Sequence, residues 1–224
     1  MKAAVVDLGI LLPPRFEAVA DYARRIGVDA GTLLTIVTGC RPFDPVELAA
    51  PAPAPDNVRM LADAGRATWP EAVSWIGHEF PRHFQRSWDE AAYLRHQQSG
   101  PGAALRVAVV RALRALRASG VPVVLVATCP AEFAGAMRRI LIDGTPVVCS
   151  AELGVARPDP SVWQAALAAA GVAAEPPETM IAHETWDSGA ALAGADGDVG
   201  EVWWVTEESL PRWTARLHQL CSRR

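Results

Sequence analysis

Five short runs rich in valine and other apolar residues recur along the chain: Ala3 to Leu8, "VPVVLVAT" (121–128), "TPVVC" (145–149), "TMIAH" (179–183) and "EVWWVT" (201–206). Each has the length of a strand and little polar alternation, the pattern of strands buried on both faces of a sheet. Helical periodicity fills the spaces at 103–120, 131–141, 160–172 and 187–195, and again at 210–220 after the last run. This rhythm predicts an α/β fold, a parallel doubly wound, Rossmann-like sheet with helices on both faces. Residues 15–102 break it. They carry amphipathic helical segments and the proline-rich stretch "APAPAPD" (50–56) but no convincing strand, and they read as a helical insertion after the first strand.

Composition removes several classes of function. A chain of 224 residues, half of them apolar, is large enough to bury a full core. The formal net charge of −4 supplies no basic field, so neither nucleic acid nor a membrane is an expected partner. The longest apolar stretches fall well below the roughly 20 residues of a membrane-spanning helix. Cys40, Cys129, Cys149 and Cys221 are scattered without CxxC or metal-type spacing, and no leader pattern precedes the first run. A cytoplasmic protein with reduced thiols is expected. Lys2 is the only lysine among many arginines, a compositional bias that bears on the site below.

The first run ends on a carboxylate, Asp7, in "AAVVDLGILLPP" (3–14). Ligands of open α/β sheets sit beyond the carboxyl ends of the strands, where loops and helix starts converge. A lone acid there can also do no more than turn the chain into solvent. Its company decides between the two.

"VVDLGILL", then "GVPVVLVAT", then "ELGVARPDPSVWQAALAAAGV", then "PPETMIAHETWDSGAALAGADG" resemble, in order, the four motifs of the haloacid dehalogenase-like (HAD) hydrolase superfamily. The likeness covers most of the chain outside the insertion. "GRATWPEAVSW" (65–75) is similar to a cap segment of phosphatase-like and epoxide-hydrolase-associated members. The resemblance implies a HAD core of residues 1–14 and 103–224 and a helical cap of residues 15–102. It also implies covalent chemistry, in which an aspartate attacks phosphorus or carbon and a hydroxyl and a cation hold the transferring group. Carboxylates of the fourth motif anchor Mg²⁺ in most members.

Carried over residue by residue, the resemblance makes Asp7 the nucleophile. Two positions on, where phosphatases of the family usually have a second Asp as acid and base, stands Gly9. In the second motif Ala127 occupies the usual Ser or Thr position and Thr128 the next, and Thr128 is taken as the hydroxyl. Arg157 stands where Lys is usual, which keeps the charge but replaces a compact ammonium by a planar fork. Ala182 and His183 replace the acidic pair of the fourth motif, followed by Glu184 and by Asp187, which matches the family's second acid. An imidazole is a poor Mg²⁺ ligand, so a metal is doubtful; if one binds, Asp7, Glu184 and Asp187 are the candidates. "TWD" (185–187) resembles the metal-independent dehalogenase branch.

Other residues carry weaker signals. Trp69 and Trp75 are candidates for lining a substrate pocket, with packing of the cap helices as the competing role. His78, His83 and His96 read as surface or cap-packing histidines, and Cys129 as a buried, inert thiol. Two classes of function remain open: a HAD-type hydrolase using Asp7 on a small anionic or carbonyl-type substrate, and a catalytically silent member that binds, regulates or assembles. Weak or no Mg²⁺-dependent phosphatase turnover is expected, because Gly9, Ala182 and His183 stand in place of the motif acids. A small-molecule substrate is the expected partner, and a homodimer stays open.

Overall fold

The computed structural model describes residues 3–12, 15–38, 58–99, 105–140, 144–155, 159–171, 179–183 and 201–222. Among the described residues five strands form one sheet: β1 (Ala3–Asp7), β2 (Val123–Ala127), β3 (Val147–Cys149), β4 (Thr179–His183) and β5 (Glu201–Trp204). Their order is β3-β2-β1-β4-β5 and every pairing is parallel. The five runs read from sequence are these five strands, each within a residue or two of its expected ends. Parallel neighbours need crossover connections, and the described helices between β1 and β2, β2 and β3, and β3 and β4 belong to them.

Side-chain alternation sorts the strand residues onto two faces. Ala4 and Val6 of β1 and Val123, Leu125 and Ala127 of β2 pack on one face against α6 (Val107–Ala118) and α10 (Leu210–Ser222), through Val109, Leu113, Leu116, Trp213 and Leu217. Ala3, Val5, Val124 and Val126 point the other way onto α9 (Ser161–Ala169), where Trp163 is fully buried. A central strand apolar at every position is therefore what two helical layers require. A doubly wound α/β architecture follows. The expected helix at 187–195 and the stretch 50–56 lie outside the described residues.

The segment after β1 is helical throughout its described part. It comprises α1 (Arg15–Ile26), α2 (Ala30–Thr38), α3 (Val58–Asp63), α4 (Trp69–Phe84) and α5 (Glu90–Ser99). It has its own apolar centre, built from Val19, Tyr22, Leu33, Ile36, Ile76 and Phe80, with Trp75 and Trp88 packed against it. Thr68 starts α4 with a capping box: its hydroxyl accepts from the Glu71 amide, while Glu71 accepts from the Thr68 amide at 2.7 Å. His96 is buried in this centre, its Nε2 3.2 Å from the Ala18 carbonyl, whereas His78 and His83 lie toward solvent.

Three contacts tie this segment to the carboxyl end of the sheet. The buried Ser150 hydroxyl, in α8 (Ser150–Leu153) directly after β3, donates to the Asp63 carbonyl at 2.5 Å. The Trp69 amide donates to Glu132 Oε1 at 3.0 Å, at the start of α7 (Ala131–Ile140), and the Trp69 ring meets Phe133 edge-on at 5.0 Å. Between them Gly65 lies so close to α8 that a Cβ would come within 2.3 Å of the Ala151 carbonyl oxygen.

Candidate active site

Asp7 ends the central strand and is 2% exposed. A carboxylate so buried is costly to leave without polar partners. Part of its hydrogen bonding is local: Asp7 Oδ1 accepts from the Gly9 amide at 3.0 Å and so caps the single 3-10 turn Leu8–Leu11. The turn explains "DLGIL". Leu8, Ile10 and Leu11 bury their side chains, and the Gly9 amide is free to face back to the carboxylate.

Register gathers the other candidates around it. Asp7 pairs with Val126, and two residues further on β2 leads into Thr128, which is half-buried. Ala127 is the last residue of β2 and its methyl belongs to the α6 face of the core, so Thr128 is the first residue past the strand. On the other side Val6 pairs with Ala182, which brings the backbone of Asp7 beside that of His183, the last residue of β4. Three adjacent strand ends thus carry Asp7, Thr128 and His183. Arg157, Glu184 and Asp187 lie outside the described residues, as does the His183 side chain.

The two tryptophans separate. Trp69 stands at the junction between the helical segment and α7, above the ends of β2 and β3. Trp75 faces the segment's own apolar centre. Sequence reasoning missed the pairing of Cys129 with Cys149, whose sulfurs lie 3.6 Å apart although twenty residues separate them in sequence. No spacing rule marks them, because β2 and β3 bring them together only through parallel pairing. Cys129 is thus not an isolated thiol.

The described residues alone do not make a Mg²⁺ site. Mg²⁺ takes six hard oxygen ligands in near-octahedral geometry. Here Asp7 offers its carboxylate, the Gly9 carbonyl already accepts from the Leu12 amide at 3.0 Å, and the neighbouring strand presents the buried methyl of Ala182. Among the described residues no group of three or more His, Cys, Asp or Glu side chains converges. Nor is any described helix long and apolar enough to cross a membrane.

No family model and no curated protein sequence matches this chain at a significant level. Solved structures do. A predicted HAD-like family hydrolase from Porphyromonas gingivalis superposes with a TM-score of 0.60 at 17% identity, over 97% of this chain and 98% of that one. The HAD family enzyme BT-2542 from Bacteroides thetaiotaomicron, in complex with magnesium and inorganic phosphate, gives 0.57 at 14% identity, over 91% and 93%. The L-2-haloacid dehalogenase PA0810 gives 0.57 at 15% identity, over 92% and 85%. The chain therefore has the fold of the HAD-like hydrolase superfamily.

Proposed function

We propose that this protein is a HAD-type hydrolase in which Asp7 attacks a small anionic substrate to form a covalent ester that water then cleaves. The carrying observation is the Asp7 carboxylate, 2% exposed at the carboxyl end of the central strand and oriented by the Gly9 amide. Burial strips water from the nucleophile, and the Gly9 amide fixes the orientation of the carboxylate. In this reading the helical segment 15–102 is the cap over the site, Trp69 borders the substrate and Thr128 holds the transferring group. Arg157 supplies the cation without which an anion would be repelled by Asp7. We assign the neighbouring position, His183, to the same pocket and place the enzyme in the cytoplasm.

Gly9 sets the substrate class. Position 9 carries no side chain to protonate a leaving group, so the favoured substrates are those whose leaving group departs as a stable anion, such as halide or the carboxylate of an acyl phosphate. Simple phosphomonoesters, whose alkoxide needs a proton, are poor substrates.

The test is a panel of a short 2-haloacid, an acyl phosphate and an alkyl phosphate, each with and without Mg²⁺, for the wild type and Asp7→Asn. Turnover of the first or second without metal, lost in Asp7→Asn, supports the proposal, together with an acid-stable mass adduct on the Asp7 peptide. Robust Mg²⁺-dependent hydrolysis of the alkyl phosphate would overturn the substrate class. No turnover of any member, with ligand binding retained, would favour the silent, binding form of the fold suggested by Gly9, Ala182 and His183.

A further inference from the structure

Cys129 follows Thr128 in the loop after β2, and Cys149 is the last residue of β3. Their sulfurs are 3.6 Å apart, and Cys149 Sγ also lies 3.3 Å from the Cys129 carbonyl, to which it donates when protonated. Cys149 is buried, whereas Cys129 is partly accessible. A disulfide needs its sulfurs at about 2.0 Å, so closure asks for a shift of only an ångström or two in one loop. We propose that Cys129 and Cys149 form a reactive dithiol that a low-molecular-weight disulfide, such as oxidised glutathione, converts to an intramolecular disulfide beside the candidate site.

The surroundings supply a thiolate. The Cys129 thiol beside it, then the amides of Ala151 and Glu152, bring the Cys149 thiol down to about 6 against the opposing effect of burial. Among the described side chains, the charged groups on the elements packed around the pair are Glu132 and Arg138 on α7, Glu152 on α8 and Asp63 on α3. Glu152 opposes the thiolate but is paired with Arg138, whose charge favours it. Glu132 is bonded to the Trp69 amide, and Asp63 is reached through Ser150. One negative charge is thus shared by two sulfurs. When the proton sits on Cys149 and points to the Cys129 carbonyl, the accessible Cys129 is the thiolate.

The chemistry balances in two exchanges. Cys129 Sγ attacks one sulfur of the oxidant, joining to it and expelling one small thiolate. Cys149 Sγ then attacks Cys129 Sγ and expels the second. The two electrons and the two thiol protons leave on two molecules of small thiol. Because Cys129 is bonded to Thr128, closure displaces the loop that bears the proposed hydroxyl. That last consequence alone rests on the hydrolase reading.

The test treats the folded wild type with oxidised glutathione, blocks remaining thiols and maps peptides by mass. A cross-linked Cys129–Cys149 peptide is expected, with Cys149→Ser arrested as a glutathione adduct on Cys129. A persistent adduct on wild-type Cys129 without cross-link, or reaction at Cys221 while both members of the pair stay reduced, overturns the proposal. Should the serine variant fail to fold, alkylation rates of wild-type Cys129 and Cys221 at neutral pH serve instead. Faster reaction at Cys129 is expected, and a rate no higher than that of Cys221 would overturn the proposal. The mapping decides the dithiol whether or not any substrate is turned over. Loss of turnover on oxidation, restored by reductant and absent in Cys129→Ser, reports the loop.

Discussion

Gly65 is held by two separate demands. Its φ of +69° lies in the left-handed region, and a Cβ would sit 2.3 Å from the Ala151 carbonyl oxygen. Gly27 has the same φ of +69° but open space around its Cβ position. Gly27→Ala should cost only the backbone penalty, about 1 kcal/mol. Gly65→Ala should cost clearly more, because α8 must retreat from the helical segment. Urea midpoints of the two variants give the comparison, and equal losses would show that the close approach yields without cost. Glu201 poses an electrostatic question at the far end of the sheet. Arg216 first, and then Trp203, hold its carboxyl below the usual carboxylate range. A depressed carboxyl stabilises the fold above its unfolded value and loses that contribution as pH falls through the folded one. At 35% exposure the pair is screened, so Arg216→Ala should cost no more than about 1 kcal/mol at neutral pH. Denaturation curves at pH 7 and pH 3 should show a larger deficit at the higher pH.

Among the elements, those made from local pattern alone were legible in the sequence. Each of the five strands was found because a strand with helices on both sides must be apolar at successive positions, and such runs stand out against amphipathic helices. The ends of α6 and α9 fell inside the expected ranges for the same reason. β5 shows the limit of that signal: it is an edge strand, and its Val202 is 41% exposed although the run reads as apolar. Trp75 shows another. Its helical spacing suited a pocket wall or a packing face equally well, and the choice fell to the apolar centre formed with α1 and α2.

At the scale of the whole molecule, Ser150 and Trp69 are among the described residues that join the helical segment to the sheet. Ser150 is fully buried and its hydroxyl satisfies the Asp63 carbonyl, so Ser150→Ala leaves a buried acceptor without that partner. A loss of about 1–3 kcal/mol is expected. If the two parts unfold together, far-ultraviolet circular dichroism and tryptophan fluorescence will report one coincident transition shifted by that amount. Separate transitions would show that the segment detaches first, as a cap that opens over its site would.

The amino-acid sequence by itself determined the α/β class, the strand count and the place of the nucleophile candidate. Those depend on residue periodicity and on where an apolar run ends in a carboxylate, both of which are local. It also carried the absence of an acid at position 9, since a missing side chain needs no structure to be read. Tertiary structure alone decided that Asp7, Thr128 and His183 share one edge, because parallel register sets which strand ends are neighbours. It alone placed Trp69 at the joint and Trp75 in the segment's interior. And it alone brought Cys129 to Cys149, a contact created by the crossover from β2 to β3 rather than by any spacing in the chain.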